Sequence, residues 1–169
     1  MKKFFQSMIA LAVLVAVGIP FSARAAEDED PIITLFSDAQ KEGAAGFGIT
    51  LGTDTQPAYF DIDFGFGKEE VEVQPWTVED GSIKGTYIAC SPVKEVKIYG
   101  DASKLSLFRA SGAYLTQADI SKCTELQVID LSHNMLRSLD LTPQTKAYAI
   151  YLGDNPFTPQ TPCVIGAPK

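Results

Sequence analysis

The sequence predicts a mainly β protein, a small antiparallel β-sheet region followed by a short repeat solenoid of about four turns, and three observations carry that prediction. In the first half apolar residues alternate with polar or small ones: Phe47, Ile49 and Leu51 with Gly48 and Thr50, then Phe60, Ile62, Phe64 and Phe66 with Asp61, Asp63 and Gly65. A period of two is the mark of half-buried strands. In the second half the chain repeats itself every 21 residues: Leu126, Ile129, Leu131, Asn134 and Leu136 return as Ala147, Ile150, Leu152, Asn155 and Phe157. A helix is excluded there, because Gly112, Pro143, Gly153, Pro156 and Pro159 would interrupt it.

Taken from the N-terminus, Lys2 and Lys3 precede an apolar run from Met8 to Ile19, and Ala23-Arg24-Ala25 supplies small residues for a signal peptidase. Residues 1–25 therefore read as a secretory signal peptide, the run being shorter than the roughly 20 apolar residues of a spanning helix. The product is expected to be exported, to the periplasm, the outer surface or the medium, without a transmembrane anchor. The chain has 169 residues and a net charge of −7. Loss of Lys2, Lys3 and Arg24 leaves 11 basic against 21 acidic residues. That balance, with no cluster of Lys and Arg, argues against nucleic acid as a partner. Hydrophobic residues make up 46% of the chain, enough for an ordinary core and too many for a disordered acidic tail.

Residues 26–80 are expected to form the N-terminal β region, opening on the charged run Glu27-Asp28-Glu29-Asp30, with Phe60, Ile62, Phe64 and Phe66 all facing its core. Val71 and Val73 continue the alternation against Glu70 and Glu72. Residues 81–160 are expected to form the repeats, and 161–169 a C-terminal tail. Stepping back from Leu126 gives Leu105, Phe108, Ala110, Ala113 and Leu115, and one further step of 22 places Thr86, Ile88, Ser91 and Val93 in register. A second echo, Val96-Lys97-Ile98, Ala118-Asp119-Ile120 and Leu139-Asp140-Leu141, recurs half a turn later. In such a coil each turn is a short strand that lacks a core of its own until the next turn stacks on it, about 4.8 Å away. Asn134 and Asn155 fall where the chain leaves the strand and bends, so a buried carboxamide there can bond the backbone of neighbouring turns.

The segment LQVIDLSHNMLRSLDL, Leu126 through Leu141, resembles the leucine-rich repeat family, in particular the short repeats of secreted or surface proteins from gut and oral anaerobic bacteria. The resemblance extends upstream through Asp61-Ile62-Asp63-Phe64-Gly65-Phe66-Gly67, Ile83-Lys84-Gly85-Thr86 and Lys97-Ile98-Tyr99-Gly100, covering about residues 31–160. The chain departs from the pattern at Ala113 and Ser91, which replace Asn at the bend, and at the small core residues Ala110 and Ala147. The resemblance implies an interaction protein that works through its strand face.

On that face one column holds Tyr87, Arg109, Asp130 and Tyr151, and the next holds Ala89, Ser111, Ser132 and Gly153. The first column is the expected binding ladder, since Tyr and Arg are favoured at contact hot spots. Read structurally, Arg109 and Asp130 simply pair across adjacent turns. The expected partner is a protein or, alternatively, a glycan stacking on Trp76, Tyr87 and Tyr151; a small structural subunit of the envelope is the third reading. Catalysis is not expected. His133 is the only histidine and lies in a variable surface slot, and no G-x-S-x-G, H-E-x-x-H or phosphate-binding glycine loop is present. No cofactor and no metal site is expected either: Asp61 and Asp63 lack the further oxygen ligands that calcium requires. Cys90, Cys123 and Cys163 are consistent with a single bridge, with Cys123 and Cys163 the preferred pair, or with three free thiols.

Overall fold

The structure, a computed structural model, describes residues 30–158 and the backbone of the strand Cys163–Ile165. The expected signal peptide, residues 1–25, lies outside the described residues. The chain is mainly β, with a single short 3-10 turn at Ala102–Lys104 among the described residues. In chain order the strands are β1 Ile33–Ser37, β2 Phe47–Thr53, β3 Ala58–Asp63, β4 Lys68–Val73, β5 Thr77–Glu79, β6 Ser82–Lys84, β7 Thr86–Cys90, β8 Glu95–Gly100, β9 Leu105–Arg109, β10 Leu115–Asp119, β11 Val128–Asp130, β12 Leu139–Leu141, β13 Ala149–Tyr151 and β14 Cys163–Ile165. Two five-stranded sheets dominate, ordered β10-β1-β8-β3-β4 and β13-β11-β9-β2-β7; β12 pairs with β14, and β5 with β6 as a hairpin.

The 21-residue step is visible as pairing. β9, β11 and β13 run parallel with Leu107 opposite Val128 and Val128 opposite Ala149. The ladder continues past the strand ends, where the N–H groups of Ala110, Gly112, Leu131 and His133 donate to the carbonyls of Asp130, Ser132, Tyr151 and Gly153. Phe108, Ala110, Ile129 and Leu131 point inward and join one hydrophobic cluster with Ile33, Leu35, Ile49, Leu51, Ile62 and Ile98. Asn134 behaves as its position demands. Its Oδ1 accepts from the N–H groups of Ala113 and Leu115, and its Nδ2 donates to the carbonyls of Ala110, Leu131 and Ser132. Asn155 repeats the arrangement one turn on, accepting from Leu136 and donating to Leu131, Leu152 and Gly153. The residue before each bend position is left-handed, with φ of 66° at Gly112 ahead of Ala113, 54° at His133 ahead of Asn134 and 56° at Asp154 ahead of Asn155.

Four expectations are corrected. First, the upstream turn does not stack on the rest. β2 is inserted antiparallel between β7 and β9, and β1 is inserted antiparallel between β8 and β10, so the segment at Thr86, Ile88, Ser91 and Val93 is one strand removed from its expected neighbour. Residues 26–80 and 81–160 consequently share both sheets and one core, rather than following one another as separate regions. Second, Phe66 is not core. β3 ends at Asp63, whose carboxylate accepts from the N–H groups of Gly65 and Gly67, and the turn so formed leaves Phe66 89% exposed. Third, the expected C-terminal tail contains β14, which pairs parallel with β12, Val164 opposite Asp140. Fourth, Cys123 is a free, fully buried thiol that donates to the carbonyl of Ile32, so the preferred bridge to Cys163 is not formed.

Candidate functional site

The outer face of the sheet β13-β11-β9-β2-β7 carries the expected ladder, and its rows are read from the register. Tyr87 pairs with Thr50, Thr50 with Arg109, Arg109 with Asp130, and Asp130 with Tyr151. The four predicted residues therefore share one row, but Thr50 separates Tyr87 from Arg109. That separation follows from the inserted strand β2, which alternation alone does not reveal.

Arg109, Asp130 and Tyr151 come together. The guanidinium Nε and Nη2 each lie 3.2 Å from Asp130 Oδ2, and Nη1 donates to the carbonyl of Ile83 at 3.4 Å. Asp130 Oδ1 accepts from the N–H and hydroxyl of Ser132, whose Oγ is 2.9 Å from Ser111 Oγ. Asp130 is thus saturated and buried, its side chain only 10% exposed against 35% for Arg109. The carboxylate anchors the arginine and has no oxygen left over for a ligand. Arg109 keeps one unused N–H on each terminal nitrogen, since a guanidinium has five donors and three are engaged. These donors border an open cleft of about 310 Å³ lined by Gly81, Ser82, Ile83, Arg109, Asp130 and Tyr151.

One wall of that cleft is the β5–β6 hairpin, which the sequence reading did not assign to the site. Its signal was present: Asp80-Gly81 between two short β-prone runs is a two-residue hairpin turn, and both residues take positive φ, 50° and 74°. The hairpin reaches the face because its base is pinned. The chain after β4 runs beside Thr53, with Trp76 N–H donating to the Thr53 carbonyl. Trp76 then packs over Gly52, where an added Cβ would fall 2.7 Å from the Trp76 Cβ and 3.0 Å from that of Leu107. Its indole N–H donates to Ser106 Oγ. Trp76 is therefore half-buried and bonded, not an open platform for a sugar ring. Leu107 and Val128 are buried on this same outer side, apart from the main core, so the face is part covered and part open. The open part is the row of Tyr87, Arg109 and Tyr151, with the tyrosines 67% and 51% exposed, and the small residues Ala89, Ser111, Ser132 and Gly153 beside it, whereas Gly48 in that second row lies under the Tyr87 ring.

Elsewhere, His133 is exposed and its Nδ1 lies 2.8 Å from Asp154 Oδ2, one repeat away. Asp61 and Asp63 sit on β3 opposite Glu70 and Lys68, and Asp63 is occupied by its own turn. Among the described residues no three His, Cys, Asp or Glu side chains converge as a metal site, and no helix is long and apolar enough to cross a membrane. Burial pushes the Cys90 and Cys123 thiols up to about 12. Comparison of the chain with family profiles, with curated proteins and with solved structures gave no match in any of the three.

Proposed function

We propose that the chain is an exported, non-catalytic recognition protein of the leucine-rich repeat kind, which holds a partner protein against the outer face of β9, β11 and β13. The solenoid reading is supported by side-chain contacts spaced one turn apart: Arg109 with Asp130, Ser111 with Ser132, Ala113 with Asn134, Glu125 with Lys146 and His133 with Asp154. Five contacts of three different kinds sharing one sequence step are what successive coils produce. The observation that carries recognition is Arg109, fixed by a saturated carboxylate and offering free donors to an open cleft beside an exposed tyrosine. A backbone carbonyl or carboxylate of a partner would accept from it, and the small row beside it lets a chain lie close. The half-burial of Trp76 removes one of the three aromatics on which glycan stacking rested and favours the protein reading.

The test is capture by the immobilised mature chain. Arg109→Ala and Tyr151→Ala should each reduce retention of the captured protein about tenfold or more, as expected of hot-spot residues. Ser121→Ala, outside the cleft, should leave it unchanged. Equal retention by all three variants would refute the reading. Export is tested separately: the chain recovered outside the cytoplasm should begin at Ala26.

A further inference from the structure

We infer that two copies of this chain associate edge to edge through β7, in an antiparallel pair centred on Ile88 that joins their five-stranded sheets into one. β7 closes its sheet, pairing with β2 on one side only. Among the described residues no backbone–backbone bond outside that ladder reaches residues 86–90; the further contacts are the Gln74 N–H donating to Thr86 Oγ1 and a long bond from Cys90 Sγ to the Ile88 carbonyl. An edge strand turns every second N–H and C=O away from its sheet, and proteins normally guard such edges with charge. The comparison edge, β4, is guarded: it reads Lys-Glu-Glu-Val-Glu-Val. β7 reads Thr-Tyr-Ile-Ala-Cys, β-prone and without a charge.

A second copy is the occupant that suits this edge. A twofold axis at Ile88 sets Tyr87 opposite Ala89 of the other copy on the outer face, large against small. On the core face it sets Ile88 against Ile88, and this residue is only half-buried in the single chain although it packs on the core. Tyr87 already lies back over its own sheet, since a Cβ at Gly48 would fall 2.3 Å from its ring atoms, so the neighbouring edge is left open. Each mature copy is acidic, with 11 basic against 21 acidic residues, and β7 is a place where two copies can meet without opposing like charges. The joined sheet would set two Arg109 clefts on one surface, which strengthens any bivalent contact.

A ladder of five residues is small beside a standard interface, so association is expected at about micromolar to hundred-micromolar concentrations. Sedimentation of the mature chain should show a monomer–dimer equilibrium that tightens with added salt, as screening relieves the repulsion between acidic copies. Ala89→Lys, at an exposed position, should weaken the dimer at least tenfold with an unchanged circular dichroism spectrum. For the register, Tyr87→Cys and Ala89→Cys chains, each in a Cys163→Ala background, should cross-link to one another on oxidation far more than either does to itself. A chain that stays monomeric throughout, a dimer indifferent to Ala89→Lys, or cross-linking without preference between the two variants would each overturn the inference.

Discussion

The chain from β9 onward and the chain before it build their sheets differently. From β9 on, β9, β11 and β13 lie parallel to one another at a step of 21 residues, and side chains bond to their counterparts one step on. Before β9, strands from distant parts of the chain interleave antiparallel: Thr34 meets Asp119, and Thr50 meets Arg109. The later region is ordered by repetition of one local solution, the earlier one by the pairing of edges that have no counterpart in each other's sequence. The difference teaches that the repeats do not make a core by themselves here. Leu51 from β2 and Leu35 from β1 are fully buried among repeat residues such as Phe108, Ile129 and Leu115.

The sharpest way to break this comparison is Leu51→Ala. Removing a fully buried leucine leaves a cavity and costs about 3 kcal/mol. Because the core is shared, denaturant unfolding should remain one transition at a lower midpoint. Two transitions, with the repeat part unmoved, would show that β2 is an accessory. Within the repeats, Asn134→Ala should cost about 2–3 kcal/mol, since it strips partners from the buried N–H groups of Ala113 and Leu115. Asn155→Ala, at the half-exposed counterpart 21 residues on, should cost about 1 kcal/mol, because water replaces part of what is lost. Equal losses would mean that the surroundings of Asn155 are as well sealed as those of Asn134.

The two buried thiols report on the same question kinetically. Cys90 belongs to the interleaved part and Cys123 to the repeated part, and burial raises both to about 12, so each should alkylate about a thousandfold more slowly than a free thiol. If the parts open together, the two thiols react at one rate, measurable by mass spectrometry after peptide digestion. The smallest effect is expected from acid. Asp119 is held below its ordinary value by hydrogen bonds from Ser121, and Asp140 likewise by Thr142 one repeat on. A depressed carboxylate stabilises the fold above its unfolded value, about 3.9, and that contribution disappears as pH falls through the folded one. Urea midpoints should therefore drop between pH 5 and pH 3, about those values bracketing the transition, and drop less in Asp119→Asn.

How much could be read from the sequence follows from the same contrast. The 21-residue step, the role of Asn134 and the row of Arg109, Asp130 and Tyr151 were legible because each turn prints the same pattern in side chains. Alternation in β1 and β2 told which residues face inward, but not which strand they pair with, since any edge of suitable length accepts an alternating partner. That is why Tyr87 was placed next to Arg109 and is found one strand further away. Phe66 was misplaced because the apolar alternation runs on past Asp63, whereas the strand stops there as the carboxylate caps the Gly65 and Gly67 turn. Trp76 was misread for want of Gly52, a bare backbone position that lets the ring settle onto the sheet.

The insertion of β1 between β8 and β10 has a consequence in time. β1 is bracketed by partners far along the chain, Ile33 opposite Ile98 and Thr34 opposite Asp119, so its sheet cannot be completed before β10 is present. Closing so long a loop is slow, and it keeps the early strands of the growing polypeptide loose until β10 has emerged. Such a molecule commits to its shape late and all at once.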